Sequence, residues 1–299
     1  MSDELRAGVV GAGVFGGFHA KKYVELDGVR FIGVFDVDAP CAAELAAPLG
    51  GRAFADLESL LAEVDVVTVA TPAVFHADAA LKALKAGKPV YLEKPLAVTL
   101  EDADRIVSEA ASRGLPVAVG HQERIVFQAM GLLDVTEKPL RLEAVRRGTP
   151  GSRNLDVSAV LDLMTHDLDL ALALTDADPI AVEAEGSPDE TSTEVTFADG
   201  FTAVFQASRI AEARERTMKI VYPSGSLEID FVARTFNNTT GFPLDEGFAD
   251  TPAGRDPLGA SVREFLDAVR GVSPRPLVTG EEAARALDLA LAVEQAAGF

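Results

Sequence analysis

The sequence predicts two domains: an α/β domain on a doubly wound parallel sheet, then an α+β domain with a mostly antiparallel sheet. Three observations carry this. Up to residue 120, short apolar runs of strand length alternate with helical stretches, and strands separated by helical crossovers form a parallel sheet. Beyond Gly120 the rhythm changes to one long helical stretch and then strand-like runs joined by tight turns, which is the pattern of antiparallel hairpins. The length, 299 residues, is more than a single hydrophobic core usually serves. The expected domains are 1–120 and 121–299, with the C-terminal helix free to pack back on the first.

Taken in order, residues 6–10, 29–35, 64–70, 89–92 and 116–119 read as strands, with helices between them. In the second half, 140–147 reads as a strand and 156–175 as a long helix. Strand-like runs follow at 194–197, 201–208, 218–222 and 227–231, with Asp199-Gly200 and Ser224-Gly225 as the turns. Residues 237–256 are rich in Gly, Asn, Thr and Pro and predict an irregular excursion. Two helices finish the chain, the last announced by Thr279-Gly280-Glu281-Glu282, a capping box.

Composition narrows the function. An apolar content of 48% excludes a disordered chain. A formal net charge of −20 leaves no basic surplus to displace counterions from phosphates, which excludes general nucleic-acid binding. The single cysteine, Cys41, excludes an internal disulfide. Residues 1–7 are charged and lead straight into a strand, and no apolar run approaches the about 20 residues of a spanning helix. The expectation is a cytoplasmic protein without a membrane partner.

Gly11-Ala12-Gly13-Val14-Phe15-Gly16 follows the first strand and opens a helix, the context that a dinucleotide-binding fingerprint requires. Gly11 permits the tight turn, Gly13 lets the backbone approach a pyrophosphate, and Gly16 lets the helix pack close to the strand. The first domain is therefore expected to be a Rossmann domain. Asp36 ends the second strand twenty residues after Gly16. A carboxylate there accepts hydrogen bonds from the adenosine ribose hydroxyls and repels a 2′-phosphate, and no arginine follows to hold one, so NAD is expected rather than NADP. Ala70-Thr71-Pro72 ends the 64–70 strand with His76 just beyond. The small residues suit passage of the nicotinamide half of the cofactor; an ordinary strand-to-helix turn is the alternative, and the part of His76 stays open.

Glu93-Lys94-Pro95 closes the 89–92 strand, which puts Lys94 at the sheet edge where substrates meet such a cofactor. In the long helix Asp162, His166 and Asp169 fall at i, i+4 and i+7 and share one face. An Asp–His pair of this spacing orients an imidazole as a general base. A solvated face and a metal site are the other readings of that stripe, and no nearby Cys or second His supports a metal. His121 and Arg124 follow the last strand of the parallel sheet and are either substrate-facing or hinge residues.

The ordered set of Gly11–Gly16, Asp36, Ala70-Thr71-Pro72, Glu93-Lys94-Pro95 and Asp162-x-x-x-His166 resembles the Gfo/Idh/MocA oxidoreductase family, and the resemblance spans the whole chain. It implies hydride transfer between a nicotinamide cofactor and a sugar or cyclitol carbon. Lys94 would bind the substrate hydroxyl and Glu93 and Lys94 would border the cofactor, with a Lys94–Pro95 bond often cis in the family. His166 would accept the hydroxyl proton, assisted by Asp162. Where many members carry a glycine-rich run before that Asp, this chain has Val157-Ser158-Ala159-Val160.

Arg146, Arg147 and Arg153 fall within eight residues of an acidic chain. Forked guanidinium groups suit phosphate oxygens, so Arg147 and Arg153 are candidates to hold the diphosphate of a nucleotide sugar; scattered surface arginines are the alternative. With the 120–124 and 162–167 segments, this loop is similar to nucleotide-sugar 3-dehydrogenases within the family. That likeness implies oxidation at carbon 3 of a UDP-sugar such as UDP-N-acetylglucosamine, followed by transamination toward lipid A-type glycolipids. A dehydrogenase of a free sugar or cyclitol and a non-catalytic NAD sensor are the rival readings. The antiparallel sheet needs cover on its second face, which implies a homodimer or homotetramer through that sheet.

Overall fold

The computed structural model describes residues 4–151 and 156–299. By contact the chain forms two units, Met1–Gln122 with Asp256–Ala284 and Glu123–Arg255 with Arg285–Phe299. A single cut at residue 120 gives one segment per domain, whereas each unit here takes two.

The first unit alternates β1 (Leu5–Val10), α1 (Val14–Glu25), β2 (Val29–Phe35), α2 (Ala39–Ala46), β3 (Arg52–Phe54), α3 (Leu57–Glu63), β4 (Val66–Val69), α4 (His76–Lys85), β5 (Val90–Leu92), α5 (Leu100–Arg113) and β6 (Val117–Val119). All ladders are parallel, and the described strands lie in the order β3-β2-β1-β4-β5-β6. Every residue of β4, β5 and β6 is buried, which is why these strands read as continuous apolar runs instead of alternating ones. β3 has only three residues, too few for a period to show. The strand order reverses between β1 and β4, where ligands of such sheets bind beyond the strands' carboxyl ends.

The helix Pro257–Val269 belongs to this unit. Its start follows from Asp256, whose side chain accepts from the Gly259 N–H, and from the proline in its first turn. Val262, Phe265 and Leu266 join Tyr23, Phe31, Val34 and Tyr91 in one core cluster. Tyr91 sits edge-on to Phe265, with ring centroids 5.9 Å apart, and hydrogen-bonds Ser261 at 2.9 Å. Burying a ring such as Phe265 contributes about 1.5–3 kcal/mol. The last helix, Gly280–Ala297, opens with the capping box: Thr279 N–H donates to Glu282 at 2.9 Å, and Glu282 N–H to Thr279 Oγ1 at 3.3 Å.

The second unit opens with α6 (Glu123–Met130) and β7 (Arg141–Arg147). The helix expected over 156–175 begins instead as a π turn, Val160–Met164, and continues as α7 (Thr165–Leu174). Then come β8 (Pro179–Ser187), β9 (Glu190–Phe197), β10 (Thr202–Ser208), β11 (Glu215–Tyr222), β12 (Gly225–Asp230) and β13 (Thr235–Asn238). Their order is β13-β12-β11-β7-β10-β9-β8, antiparallel throughout the described residues except for β7 with β10. β8 and β13 were not expected. β8 starts on a proline and buries none of its residues, and β13 opens the 237–256 excursion.

Alternation settles which face packs. Leu142, Ala144, Phe205, Met218, Ile220, Leu227 and Ile229 are buried, whereas Glu143, Gln206, Lys219 and Glu228 are exposed on the other face. The π turn and α7 contact β10, on the buried side of the sheet. Both expected turns form. Gly200, at φ +88°, takes the left-handed conformation that joins β9 to β10, and Tyr222 pairs with Gly225 across the second turn. No helix among the described residues is long and apolar enough to cross a membrane.

Candidate active site

In the first unit the fingerprint glycines are fixed by contact. Gly11 has φ +103°, and a Cβ there would lie 2.6 Å from the Ala70 carbonyl oxygen. The ends of β1 and β4 are thus in near contact, and Ala70 N–H donates to Val10 O at 2.8 Å. A Cβ on Gly16 would fall 1.9 Å from Gly11 O, so α1 can start against the turn only with glycine there. Gly13 is the opposite case: open space surrounds its missing side chain, and as N-cap of α1 it leaves the helix's first N–H groups without a side-chain acceptor. Val14 is exposed beside it and Phe15 half-buried. This is a cradle for an anion at a helix N-terminus.

Asp36 sits at the end of β2 with one carboxylate oxygen 2.6 Å from Ala12 N and the other 2.8 Å from Asp38 N. The two backbone donors orient it over the glycine turn, where each oxygen retains acceptor capacity for a ribose hydroxyl. Across the switch point, Thr71 Oγ1 is buried without a hydrogen-bond partner among the described residues, and Pro72 is exposed next to it. An orphaned hydroxyl in this crevice calls for a ligand atom. These residues fit a dinucleotide, and the Asp36 carboxylate fits one without a 2′-phosphate.

The part of His76, left open by the sequence, is structural in what it bonds. Its ring nitrogens lie 2.7 Å from Pro95 O and 2.9 Å from Thr71 O. Both nitrogens are spent on backbone carbonyls, and burial pulls the imidazole below its ordinary pKa despite them. His76 therefore ties the Thr71-Pro72 turn to the Lys94–Pro95 turn, whose peptide bond is cis. Glu93 is buried against Gly120, where a Cβ would lie 2.9 Å from its carboxylate. Burial pushes the Glu93 carboxyl up, but His19 at 2.7 Å and the charges of Lys94 and His76 bring it below the usual range. Thr68 and Tyr23 extend that buried polar chain behind His19. Lys94 is half-buried and His121 buried.

In the second unit the groups around His166 come from three elements. His166, in the first turn of α7, places Nδ1 2.7 Å from Glu123 Oε2 at the start of α6. The other oxygen of Glu123 accepts from Arg146 of β7 at 2.7 Å, and Arg146 grips Asp167 through two bonds of 2.8 Å. Burial opposes the Glu123 charge, but His166 and Arg146 overcome it and hold the carboxyl well below the usual range. The partner observed for His166 is thus Glu123. Asp162, the expected one, lies in the π turn, where Thr165 N–H reaches back to Val160 O and the α-helical i, i+4 geometry does not hold.

Arg124 is buried and forms a bidentate pair with Asp169, at 2.8 and 2.9 Å. Those two donors are committed to Asp169, which favours the hinge reading of Arg124 over the substrate-facing one. The arginine cluster is corrected as well. Arg146 and Arg147 lie in strand β7, so they point to opposite faces. Arg146 faces α7, while Arg147 pairs on the other face with Glu215 and Gln206, both at 2.9 Å. Arg153 lies outside the described residues. Among the described residues no cluster of three or more His, Cys, Asp and Glu side chains could hold a metal.

Comparison with known proteins places the chain in a family. Residues 5–121 match the oxidoreductase family described as an NAD-binding Rossmann fold, and residues 143–228 match the GFO/IDH/MocA C-terminal domain. The chain is 36% identical to the UDP-N-acetylglucosamine 3-dehydrogenase of Acidithiobacillus ferrooxidans over 285 residues, 90% of each chain. A solved structure of that enzyme superposes with a TM-score of 0.90 over 98% of this chain and 97% of the other. The myo-inositol 2-dehydrogenase of Thermotoga maritima is 26% identical, over 97% of this chain and 96% of its own. The WlbA dehydrogenase of Bordetella pertussis, solved with NADH and UDP-GlcNAcA, has a TM-score of 0.87 over 98% of this chain and 95% of its own; at 20% identity it shows the fold alone.

Proposed function

Because the chain belongs to the Gfo/Idh/MocA oxidoreductase family, we propose that it oxidises carbon 3 of a UDP-sugar such as UDP-N-acetylglucosamine with NAD, giving a 3-keto sugar. The observation that carries the catalytic part is the His166–Glu123 pair. The buried carboxylate of Glu123, 2.7 Å from Nδ1, stabilises by its charge the imidazolium that forms when the ring accepts a proton at Nε2. The choice of sugar leans on the relative that is 36% identical.

NAD, when bound, supplies the hydride acceptor. Gly11, Gly13, Val14, Phe15 and Gly16 would receive its pyrophosphate and Asp36 its ribose; Ala70, Thr71 and Pro72 would border the nicotinamide half. Lys94 would bind the substrate hydroxyl and keep its surroundings positive, and His121 would contact the substrate. His166 takes the hydroxyl proton at Nε2 while the carbon gives up its hydride, with the Glu123 carboxylate stabilising the imidazolium. One alcohol and one oxidised cofactor would give one ketone, one reduced cofactor and one proton. A ketone at that carbon suits an aminotransferase next, toward a lipid A-type amino sugar. The exposed face of the seven-stranded sheet, with Glu143, Gln206, Lys219 and Glu228, is the surface for a homodimer or homotetramer.

Mixing the protein with NAD and UDP-N-acetylglucosamine, with an aminotransferase and amine donor to trap the ketone, tests this reading. Reduced cofactor should form with the nucleotide sugar and not with free N-acetylglucosamine. A second reading, a free-sugar or cyclitol dehydrogenase, draws on the likeness to myo-inositol 2-dehydrogenase across 97% of the chain. It predicts turnover of myo-inositol and none that depends on UDP.

A further inference from the structure

Arg216 stands in β11 in line with Met218, Ile220 and Tyr222, all three buried. Strand side chains alternate, so Arg216 points to the same face of the sheet as these apolar residues. Its cross-strand neighbour is Arg146, the residue that Asp167 and Glu123 hold next to His166. Like charges directly opposite each other on one face of a sheet repel. Arg146 has two carboxylates. Arg216 has no side-chain hydrogen bond and no ion pair among the described residues. Burial and the charge of Arg146 press it below the usual arginine range, and Arg214, two residues earlier, adds to that pressure; Glu123 and Asp167 offset only part of it. The chain has 47 acidic residues against 27 basic ones, so partners for a structural cation are plentiful. A half-buried cation kept beside another cation without one costs stability, and folds retain such arrangements where a ligand uses them.

We propose that Arg216 is the anion receptor of the substrate site: its forked guanidinium takes phosphoryl oxygens of a nucleotide sugar next to the His166–Glu123 pair, with Arg214 as a second cation. This rests on the nucleotide-sugar reading above, and it moves diphosphate recognition from Arg147 to the neighbouring strand. A planar fork suits two phosphoryl oxygens, and the donors of Arg216, on the apolar face of the sheet, are left unused by the described residues.

The test compares Arg216→Gln, Arg216→Lys and Arg147→Gln with the wild type, in steady-state kinetics with NAD and UDP-N-acetylglucosamine, calorimetric binding of UDP, and thermal melting. Loss of a charged hydrogen bond predicts a KM for the nucleotide sugar and a Kd for UDP raised about 10- to 100-fold in Arg216→Gln, with kcat changed much less. Arg216→Lys should fall between, and Arg147→Gln should match the wild type. Arg216→Gln should melt no lower than the wild type, since it removes a half-buried charge that has no ion pair among the described residues. An unchanged KM and UDP affinity, or a lowered melting temperature as the sole effect, overturns the proposal and leaves the dehydrogenase reading standing. If the wild type turns over no UDP-sugar, that reading has failed, and UDP binding then decides the role of Arg216. Binding that weakens in Arg216→Gln supports it; absence of binding overturns it.

Discussion

His166 Nδ1 and Glu123 Oε2 lie 2.7 Å apart, although 43 positions separate them in the chain. α6 delivers the carboxylate, α7 the imidazole, and Arg146 from β7 fixes the far oxygen of Glu123. The imidazole and its carboxylate neighbour are therefore brought together by tertiary structure.

His166→Ala should lose about 10²- to 10⁴-fold in turnover, the usual contribution of general-base assistance. Glu123→Gln keeps the shape but removes the charge that favours the imidazolium. Its kcat should fall by less, and the acid limb of its kcat/KM profile should move to lower pH. Rate profiles of both variants with chemistry rate-limiting check this. A His166→Ala enzyme within tenfold of the wild type contradicts the role.

Acid stability follows from the same carboxylate. The folded pKa of Glu123 lies well below its ordinary 4.5, so the charged form is favoured by folding. That contribution is complete above the unfolded value and is lost as pH falls from about 4.5 through the folded value. Denaturant melts between pH 6 and about 3 should show a shallower acid decline for Glu123→Gln than for the wild type. Parallel declines would show that the pair does not stabilise the fold.

Asp169→Asn should unfold the protein more easily by about 3–5 kcal/mol, because it strands a buried guanidinium. The double variant Arg124→Met with Asp169→Leu should recover much of this. If Asp169→Asn instead melts like the wild type and shifts KM alone, Arg124 serves the substrate after all.

Gly11→Ala places a Cβ 2.6 Å from Ala70 O at φ +103°. The strain of that backbone, about 1–3 kcal/mol, should lower the melting temperature and abolish NAD binding together. Asp36→Ala should weaken NAD about 10- to 100-fold while narrowing the preference over NADP, as loss of hydrogen bonds to a charged acceptor implies. Calorimetry with both cofactors measures each, and tighter NADP binding by the wild type would contradict the reading of Asp36.

The cofactor half was legible because its requirements are steric and local: Gly11 and Gly16 are the only residues that fit, and both lie in one six-residue motif. In the substrate half the sequence marked His166 and missed the groups that surround it. Asp162 looked like the partner of His166 under α-helical periodicity, and the π turn removes that periodicity. Arg146 and Arg147 were grouped with Arg153, yet the strand runs to Arg147 as expected, and alternation along it separates the two. Arg124 reaches a partner 45 positions away, which no local pattern reports. Arg216 did leave a signal, an arginine in register with Met218 and Ile220 on an apolar strand face.

The most direct measurement uses UDP-N-acetylglucosamine deuterated at carbon 3, with mass analysis of the nicotinamide product. The account predicts that the deuterium appears in the reduced cofactor and that turnover slows when chemistry is rate-limiting. Reduced cofactor without the label would place oxidation at another carbon. No reduced cofactor, with NAD bound and the ketone trap present, would contradict the nucleotide-sugar dehydrogenase itself.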